Sequence, residues 1–379
     1  MFIERTSVGL DVHARSIAAA AIDTVTGELF KERLAPAPDA VLAWMGRLPG
    51  TVAATYEAGP TGFGLARAIR ASGVRCEVAA PSKIRRAAGD RVKTDARDAI
   101  LLARLLRMDE IIGVRVPTVA EEAARDLVRA REDVRVDLTR ARHRVSKLLL
   151  RHGHVYYGGK AWTGKHHQWL RGIRFDGPDR SVLAGTRAAY ESDLETVEFA
   201  VARRNRLDRA TGELATDSEY AEFTAVTRRL CCLRGISTLT GFALAVEIGD
   251  WTRFTGSSIG AYLGLVPSEH SSGDSRRQGG ITKTGNTKTG NTKTGNTHAR
   301  RLLIEAAWHH KKHYTPGATL RRRWDDAGPA ARARGHEGNQ RLHHRWTQLA
   351  ARNKKHTVAN TAIARELAGW CWSLATLND

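Results

Sequence analysis

Cysteine is scarce in this 379-residue chain. Four thiols, Cys76, Cys231, Cys232 and Cys371, are too few and too scattered for a disulfide framework or a zinc ribbon. A reducing compartment is therefore expected. No run of about 18 apolar residues occurs, so no membrane span and no membrane partner are expected. The N-terminal segment Met1-Phe2-Ile3-Glu4-Arg5 leads into an alternating, strand-like run and not into an apolar signal segment. Together these absences predict a cytoplasmic protein. Disorder of the whole chain is excluded by 42% hydrophobic residues.

Acidic residues are the other deficit. Lys and Arg number 60 against 40 Asp and Glu, for a net charge of +20. Between Ser271 and Asn360 there are 19 basic and 5 acidic residues, so 90 residues carry +14 of that surplus. A polyanion, nucleic acid above all, is the expected partner. The plainer alternative is a basic face kept for solubility.

The N-terminal third alternates strand and helix signals. Strands are expected over residues 6–12, 16–22 and 28–34, a helix over 38–48, a strand over 51–57, a helix over 61–72 and a strand over 74–80. Further helices are expected after Ser82 and Thr94. The order β-β-β-α-β-α-β-α is that of the ribonuclease-H-like fold. Thr118 and Glu121 then form a capping-box signature. A helix is expected from there to about Arg151, with Val134, Leu138, Ala141, Val145 and Leu148 spaced 4, 3, 4, 3. Tyr190, Leu194, Val197 and Val201 repeat the rhythm over 181–210. Such a pair reads as an antiparallel coiled-coil hairpin serving self-association, or else as an ordinary helical pair on a core. The remainder reads as helices with basic loops. The fold class is thus α/β plus α, in four blocks: 1–117 α/β, 118–215 coiled coil, 216–325 helices with basic loops, and 326–379 a basic helical tail.

Four carboxylates fall at the ends of elements: Asp11 at the first strand, Glu57 at the fourth, and Asp95 and Asp98 on one face of a helix start. Neighbouring strands would bring Asp11 and Glu57 to one sheet edge. Such a cluster repels itself unless cations neutralise it. Oxygen donors without thiolate favour Mg²⁺, with Mn²⁺ as the alternative ion. Taken singly, Asp95 and Asp98 can be first-turn charges and Asp11 a turn residue.

Other motifs are weaker. Leu233-Arg234-Gly235-Ile236-Ser237 resembles a helix-hairpin-helix turn, whose amides would face phosphate. Ser268, Ser271, Ser272 and Ser275 lie in a polar loop with His270 and Asp274, followed by Arg276 and Arg277. Thr-Lys-Thr-Gly-Asn occurs three times in tandem, at 282–286, 287–291 and 292–296. That period fits neither helix nor sheet. It reads as a tandem duplication in a loop, and Lys283, Lys288 and Lys293 could track a phosphate backbone. Arg300 and Arg301 extend the basic run. Gly159 to His166 nearly matches a P-loop, but no buried strand feeds it.

The ordered set Gly-Leu-Asp11-Val, Tyr-Glu57-Ala-Gly-Pro, Lys93-Thr-Asp95-Ala-Arg-Asp98, Leu-Arg-Gly-Ile, Leu-Gly-Leu-Val-Pro, Ser-Ser272-Gly and Ile-Thr-Lys-Thr-Gly-Asn with His298-Ala-Arg-Arg resembles the DEDD transposases of the insertion-sequence 110 family. These are also described as bridge-RNA-guided recombinases. The resemblance spans roughly residues 5–325. It implies a RuvC-like domain, a coiled-coil domain and a transposase domain bearing a nucleophilic serine. Asp11, Glu57, Asp95 and Asp98 would bind Mg²⁺, and Ser272, not Ser271 or Ser275, would attack DNA through a phosphoserine intermediate. The implied partners are double-stranded donor and target DNA, a structured bridge RNA, and further copies of the chain in a dimer or synaptic tetramer. DNA-bound molecules would associate with the nucleoid. Two departures stand out: the triplicated repeat, of which the first or last copy would be the family's single unit, and Asp274. Two rival readings are a structure-specific nuclease using the carboxylates alone and an inactive nucleic-acid-binding remnant.

Overall fold

The computed structural model describes residues 4–84, 94–175, 183–272, 275–281 and 296–377. The chain divides into two compact units, Met1–Thr118 and Val119–Asp379.

The first unit is a six-stranded sheet with helices on both faces. Its strands are β1 (Thr6–Val12), β2 (Ile17–Asp23), β3 (Leu29–Leu34), β4 (Val52–Glu57), β5 (Arg75–Ala79) and β6 (Gly113–Val114), in the order β3-β2-β1-β4-β5-β6. β1, β2 and β3 are antiparallel neighbours, while β1, β4 and β5 run parallel. One face carries α1 (Pro38–Met45) and α2 (Gly64–Ala71). There Val8, Leu10, Tyr56, Val78, Val41, Trp44 and Ile69 form a buried core. Each large side chain so buried contributes about 1.5–3 kcal/mol. β6, a two-residue edge strand antiparallel to β5, carries too short a signal to be read from sequence. The helix expected after Ser82 begins as a 3-10 turn at Pro81–Lys83, and residues 85–93 lie outside the described residues.

The other face of the sheet carries small side chains around Gly9. Ser7, Gly9 and Asp11 alternate with the core residues of β1. Gly9 is registered on Ala20 of β2 and Thr55 of β4. Across this shallow surface lies α3 (Asp95–Arg107). A Cβ on Gly9 would sit 2.1 Å from the Ala99 carbonyl oxygen and 2.4 Å from the Ala103 amide nitrogen. Only glycine admits the helix this closely.

The second unit is helical. α4 (Val119–Arg151) and α6 (Ala184–Leu214) form a long pair. Leu138, Ala141, Val145 and Leu149 of α4 pack with Tyr190, Val197 and Ala200 of α6. The short α5 (Gly164–Gly172) supplies Leu170 to the same cluster, and Phe175 follows it. Tyr190 donates from its hydroxyl to the Leu170 carbonyl at 2.7 Å. Leu138 and Val145, expected on a self-association seam, are therefore buried within the chain.

Within residues 119–379 the distal α4–α6 cluster is separate from a second, larger core. Ala124 and Val128 of α4 belong to one cluster with α7 (Ala221–Leu230), α8 (Thr238–Ile248), α10 (Thr297–Ala307), α12 (Pro329–Ala351) and α13 (His356–Ala375). α13, expected in a basic tail, contributes Ile363, Leu367, Cys371 and Leu374, all fully buried. Its apolar face is denser than its flanking charges suggest. Two shorter helices, α9 (Ser258–Tyr262) and α11 (Ala318–Asp325), complete the helical set.

A polar residue lies in this core. Glu247 of α8 is 2% exposed. Arg129 of α4 donates to it at 2.9 and 3.1 Å, Asn296 at 2.7 Å, and His298 Nδ1 lies 3.2 Å away. Burial alone would raise the Glu247 carboxyl, but the hydrogen bonds from His298, Arg129 and Asn296 hold it well below the usual carboxylate range. Stability from such a group is full above its unfolded pKa, about 4.3, and is lost as pH falls toward its folded value. Glu247→Gln is expected to cost about 1–3 kcal/mol near neutral pH. The gap in melting temperature between the two proteins should hold down to about pH 4 and narrow progressively below it. A gap that stays constant well below that pH would show that the charge contributes nothing.

Candidate nuclease site and nucleophile hairpin

Asp11 is the second-last residue of β1, and Glu57 is the last of β4. The final registered pair between these parallel strands is Leu10 with Tyr56, so Asp11 and Glu57 follow side by side. Each lies two residues beyond a member of the shallow face, Gly9 or Thr55, and so points to the α3 side. α3 begins over the same edge. Its N-cap, Thr94, accepts from the Arg97 amide at 3.4 Å, which places Asp95 and Asp98 in the first turn. Their negative charge there is favoured by the helix dipole.

His13, which sequence reasoning missed, completes the group. Its Nε2 is 3.2 Å from Asp11 Oδ2 and 3.6 Å from Asp95 Oδ1. One ligand atom from each of Asp11, His13 and Asp95 falls within a 4.8 Å span. Position i+2 from Asp11 was the available signal. Asp98, half-buried one turn along, acts on Asp11 through its charge. Glu57 is exposed on the neighbouring strand and is not part of the three-residue group.

Partial burial raises the Asp11 carboxyl above its ordinary value; His13 opposes this, while Asp95 and Asp98 add to it. Like charges on a partly desolvated edge are the arrangement a divalent cation relieves. Two carboxylates and an imidazole, open to solvent, fit such an ion. The imidazole extends the choice from Mg²⁺ toward Mn²⁺ and other first-row ions.

Ser272 lies in the second unit. The polar loop expected around it is a hairpin, β7 (Pro267–Ser272) with β8 (Ser275–Ile281). The strands lack apolar alternation, so sequence pattern did not reveal them. Ser272 and Ser275 are registered opposite each other, and both are exposed. Residues 273 and 274, including Asp274, lie outside the described residues. Arg276 and Arg277 are registered on Ser271 and His270 by backbone.

Lys283, Lys288 and Lys293 also lie outside the described residues. The last repeat ends inside them, at Asn296. This side chain caps α10 by accepting from the Ala299 amide at 2.9 Å and donates to Glu247. Its own amide donates to the Tyr262 carbonyl at 3.1 Å. Only the third copy runs into His298, whose ring shares Glu247. The third copy thus ends at an anchored residue. Arg301 is engaged by Glu132 at 2.5 Å and Glu305 at 2.7 Å, and burial lowers the pKa of half-buried Arg300.

The turn read as helix-hairpin-helix-like does not present its backbone. Gly235, at φ +88°, has a virtual Cβ 2.4 Å from the Ala306 carbonyl oxygen. The Arg234 amide donates to Asn339 Oδ1 at 2.8 Å. Leu233 and Ile236 are fully buried. Packing on α10, and not phosphate, explains this glycine. Within the near-P-loop segment, Thr163 is an ordinary N-cap of α5 that accepts from the His166 amide.

His13→Ala is expected to weaken Mn²⁺ binding about tenfold without changing the melting temperature of the protein, as measured by titration calorimetry and thermal denaturation. Unchanged affinity would place the ion elsewhere. Asn296→Ala should lower thermal stability by about 1 kcal/mol or more through the lost cap. Asn286→Ala and Asn291→Ala should leave it unchanged. Equal effects of all three would refute the anchoring of the third copy.

With the geometry in place, comparison with known proteins is specific. Residues 8–153 match a transposase family, the DEDD transposases of IS110 type. Residues 227–322 match the transposase family IS116/IS110/IS902. The protein y4qE of Sinorhizobium fredii, a transposase by name, is 39% identical over 323 residues, covering 84% of this chain and 74% of its own length. The transposase for insertion sequence element IS1533 of Leptospira borgpetersenii is 31% identical over 356 residues, covering 92% of this chain and 97% of its own. The carboxylate edge lies in the first matched segment and the serine hairpin in the second, and the chain belongs to the IS110 family of transposases.

Proposed function

We propose that this transposase cuts and rejoins DNA through a phosphoserine intermediate, in a divalent-ion-dependent reaction guided by a structured RNA. The observation that carries the reading is the convergence of Asp11, His13 and Asp95 where α3 crosses β1, with Glu57 and Asp98 alongside. The strand order and senses of the first unit support a RuvC-like, ribonuclease-H-like domain. The α4–α6 pair supports a coiled-coil domain.

Asp11, Glu57, Asp95 and Asp98 would hold Mg²⁺ or Mn²⁺, with His13 as partner or further ligand. When bound, the ion supplies neutralising charge and polarises the scissile phosphate. Ser272 Oγ attacks phosphorus, an Oγ–P bond forms and the P–O3′ bond breaks. The serine proton leaves to a base and the departing oxygen takes one up. A 3′-hydroxyl later reverses the exchange on a second strand. Bond count is conserved throughout, so no nucleotide hydrolysis is needed. Arg276 and Arg277 would contact the non-bridging oxygens, where negative charge develops. Lys283, Lys288, Lys293, Arg300 and Arg301 would contribute phosphate contacts, Arg301 only after leaving its carboxylates. Target and donor choice would come from base pairing with the RNA, which the protein holds by shape and charge. A dimer or synaptic tetramer would let the serine of one copy serve the carboxylates of another.

Ser272→Ala is expected to bind DNA yet form no protein–DNA adduct on a nicked suicide substrate, whereas wild type forms one in Mg²⁺. Asp98→Asn should lower cleavage by at least about 100-fold. Adduct from Ser272→Ala but not from Ser271→Ala or Ser275→Ala would move the nucleophile. Cleavage without any adduct in wild type would favour water as the nucleophile, and neither adduct nor cleavage would favour an inactive remnant.

A further inference from the structure

A concave site whose lining does not include Ser272 lies in the same unit. It is a groove of about 930 Å³ between α9, the preceding loop, and the α12–α13 pair. That volume lies at the upper end of the range for ligand pockets, about 300–1,000 Å³. Pro267, the first residue of the serine hairpin, is on its rim. Nothing in the proposed strand exchange uses it.

Its lining is basic and aromatic. Arg334, Arg345 and Arg365 face it, together with Trp370 and Trp372. Among the described lining residues Glu366 is the one carboxylate; it pairs with Arg341 at 3.0 Å and with Arg345 at 3.9 Å. Arg365 is exposed and has no ion pair among the described residues. Arg334 is held over an indole: its guanidinium carbon lies 4.3 Å from the Trp370 ring centroid. Nε donates to Ser373 Oγ at 2.8 Å and Nη1 to Glu337 at 2.8 Å. Its side chain remains 38% exposed. A guanidinium held in this way offers a planar cationic platform.

Glycines keep the groove open. A Cβ on Gly256 would lie 3.4 Å from the Trp372 ring, and one on Gly369 would lie 3.2 Å from the Gly256 carbonyl oxygen. A Cβ on Gly260 would meet Arg365 at 3.4 Å. Side chains at these positions would crowd the wall that the arginines and indoles share.

We propose that this groove binds a short single-stranded segment of nucleic acid. A planar cation backed by an indole stacks an unpaired base, and flanking guanidiniums take its phosphates. A duplex conceals its base faces, so the platform has no use for one. A neutral ligand would leave the Arg365 charge unmatched. The inference rests on the reading of the chain as a nucleic-acid-processing enzyme and adds to it where an unpaired strand is held.

The test uses the full chain with a labelled 12-mer of oligo-U, a 12-mer of oligo-dT and a 12-base-pair duplex, by fluorescence anisotropy across a salt series. Arg365→Glu and Arg334→Ala are each expected to weaken single-strand binding about tenfold at unchanged melting temperature. The slope of log affinity against log salt should flatten by about 0.7 for each phosphate no longer neutralised. Loss with oligo-U alone assigns RNA, and loss with both oligonucleotides assigns any single strand. Ultraviolet crosslinks should map to residues 365–373. The proposal is overturned if both variants bind the oligonucleotides within twofold of wild type, or if the duplex loses as much as the single strands. It is also overturned if the variants change only the mass seen by light scattering, which would assign the groove to a second copy. Wild-type failure to cut DNA would instead count against the proposed function, since groove binding is read without cleavage.

Discussion

A glycine with no room for any side chain sets the geometry of the first unit. α3 crosses β1 so closely that a methyl group on Gly9 would overlap the helix backbone. Ala20 and Thr55 beside it keep the surface shallow, and Ala99 and Ala103 form the facing side of the helix. The first turn of α3 consequently lies over the end of β1. Asp95 is thereby brought beside Asp11 and His13, and Asp98 within electrostatic reach. A larger residue at position 9 would lift the helix and disperse the charges. The carboxylate cluster is thus a product of backbone packing, with the apolar core on the opposite sheet face supplying the stability that holds repelling groups together.

The second unit solves a different problem. A serine on a hairpin with polar strands needs support from its ends. Pro267 enters the hairpin from the α9 region, and the chain returns at Asn296, fixed to Glu247 and to the Tyr262 carbonyl. Glu247 in turn binds Arg129 of α4, so the returning strand is tied to the long helix and to the core by one buried carboxylate. Two copies of the five-residue repeat precede the one that ends at that anchor. Loop closure cost grows slowly with length, so ten further residues are thermodynamically tolerable.

Much of the first unit was legible because strand alternation and the carboxylates at element ends are local signals. The expected strand at residues 6–12 is found as Thr6–Val12, and the cap at Thr94 starts α3 where expected. The 119–151 helix also matches. What was not legible depends on tertiary packing. His13 looks like any loop histidine until α3 is placed. The serine hairpin has no apolar period, and its pairing emerges only from the chain on both sides. Gly235 fitted a phosphate-facing turn equally well as the steric demand of α10, and only its approach to Ala306 separates them. The Lys354-Lys355 pair before α13 made it read as tail, although Ile363, Leu367, Cys371 and Leu374 belong to the core.

The most direct measurement follows from the close approach itself. Gly9→Ala leaves every carboxylate, His13 and Ser272 in place chemically, and changes only the room available to α3. Mn²⁺ titration of this variant, alongside Mg²⁺-dependent cleavage of DNA, tests whether packing builds the site. The account predicts loss of the bound ion and of cleavage together, with the melting transition of the helical unit retained. A Gly9→Ala protein that binds Mn²⁺ and cuts DNA as the wild type does would contradict it.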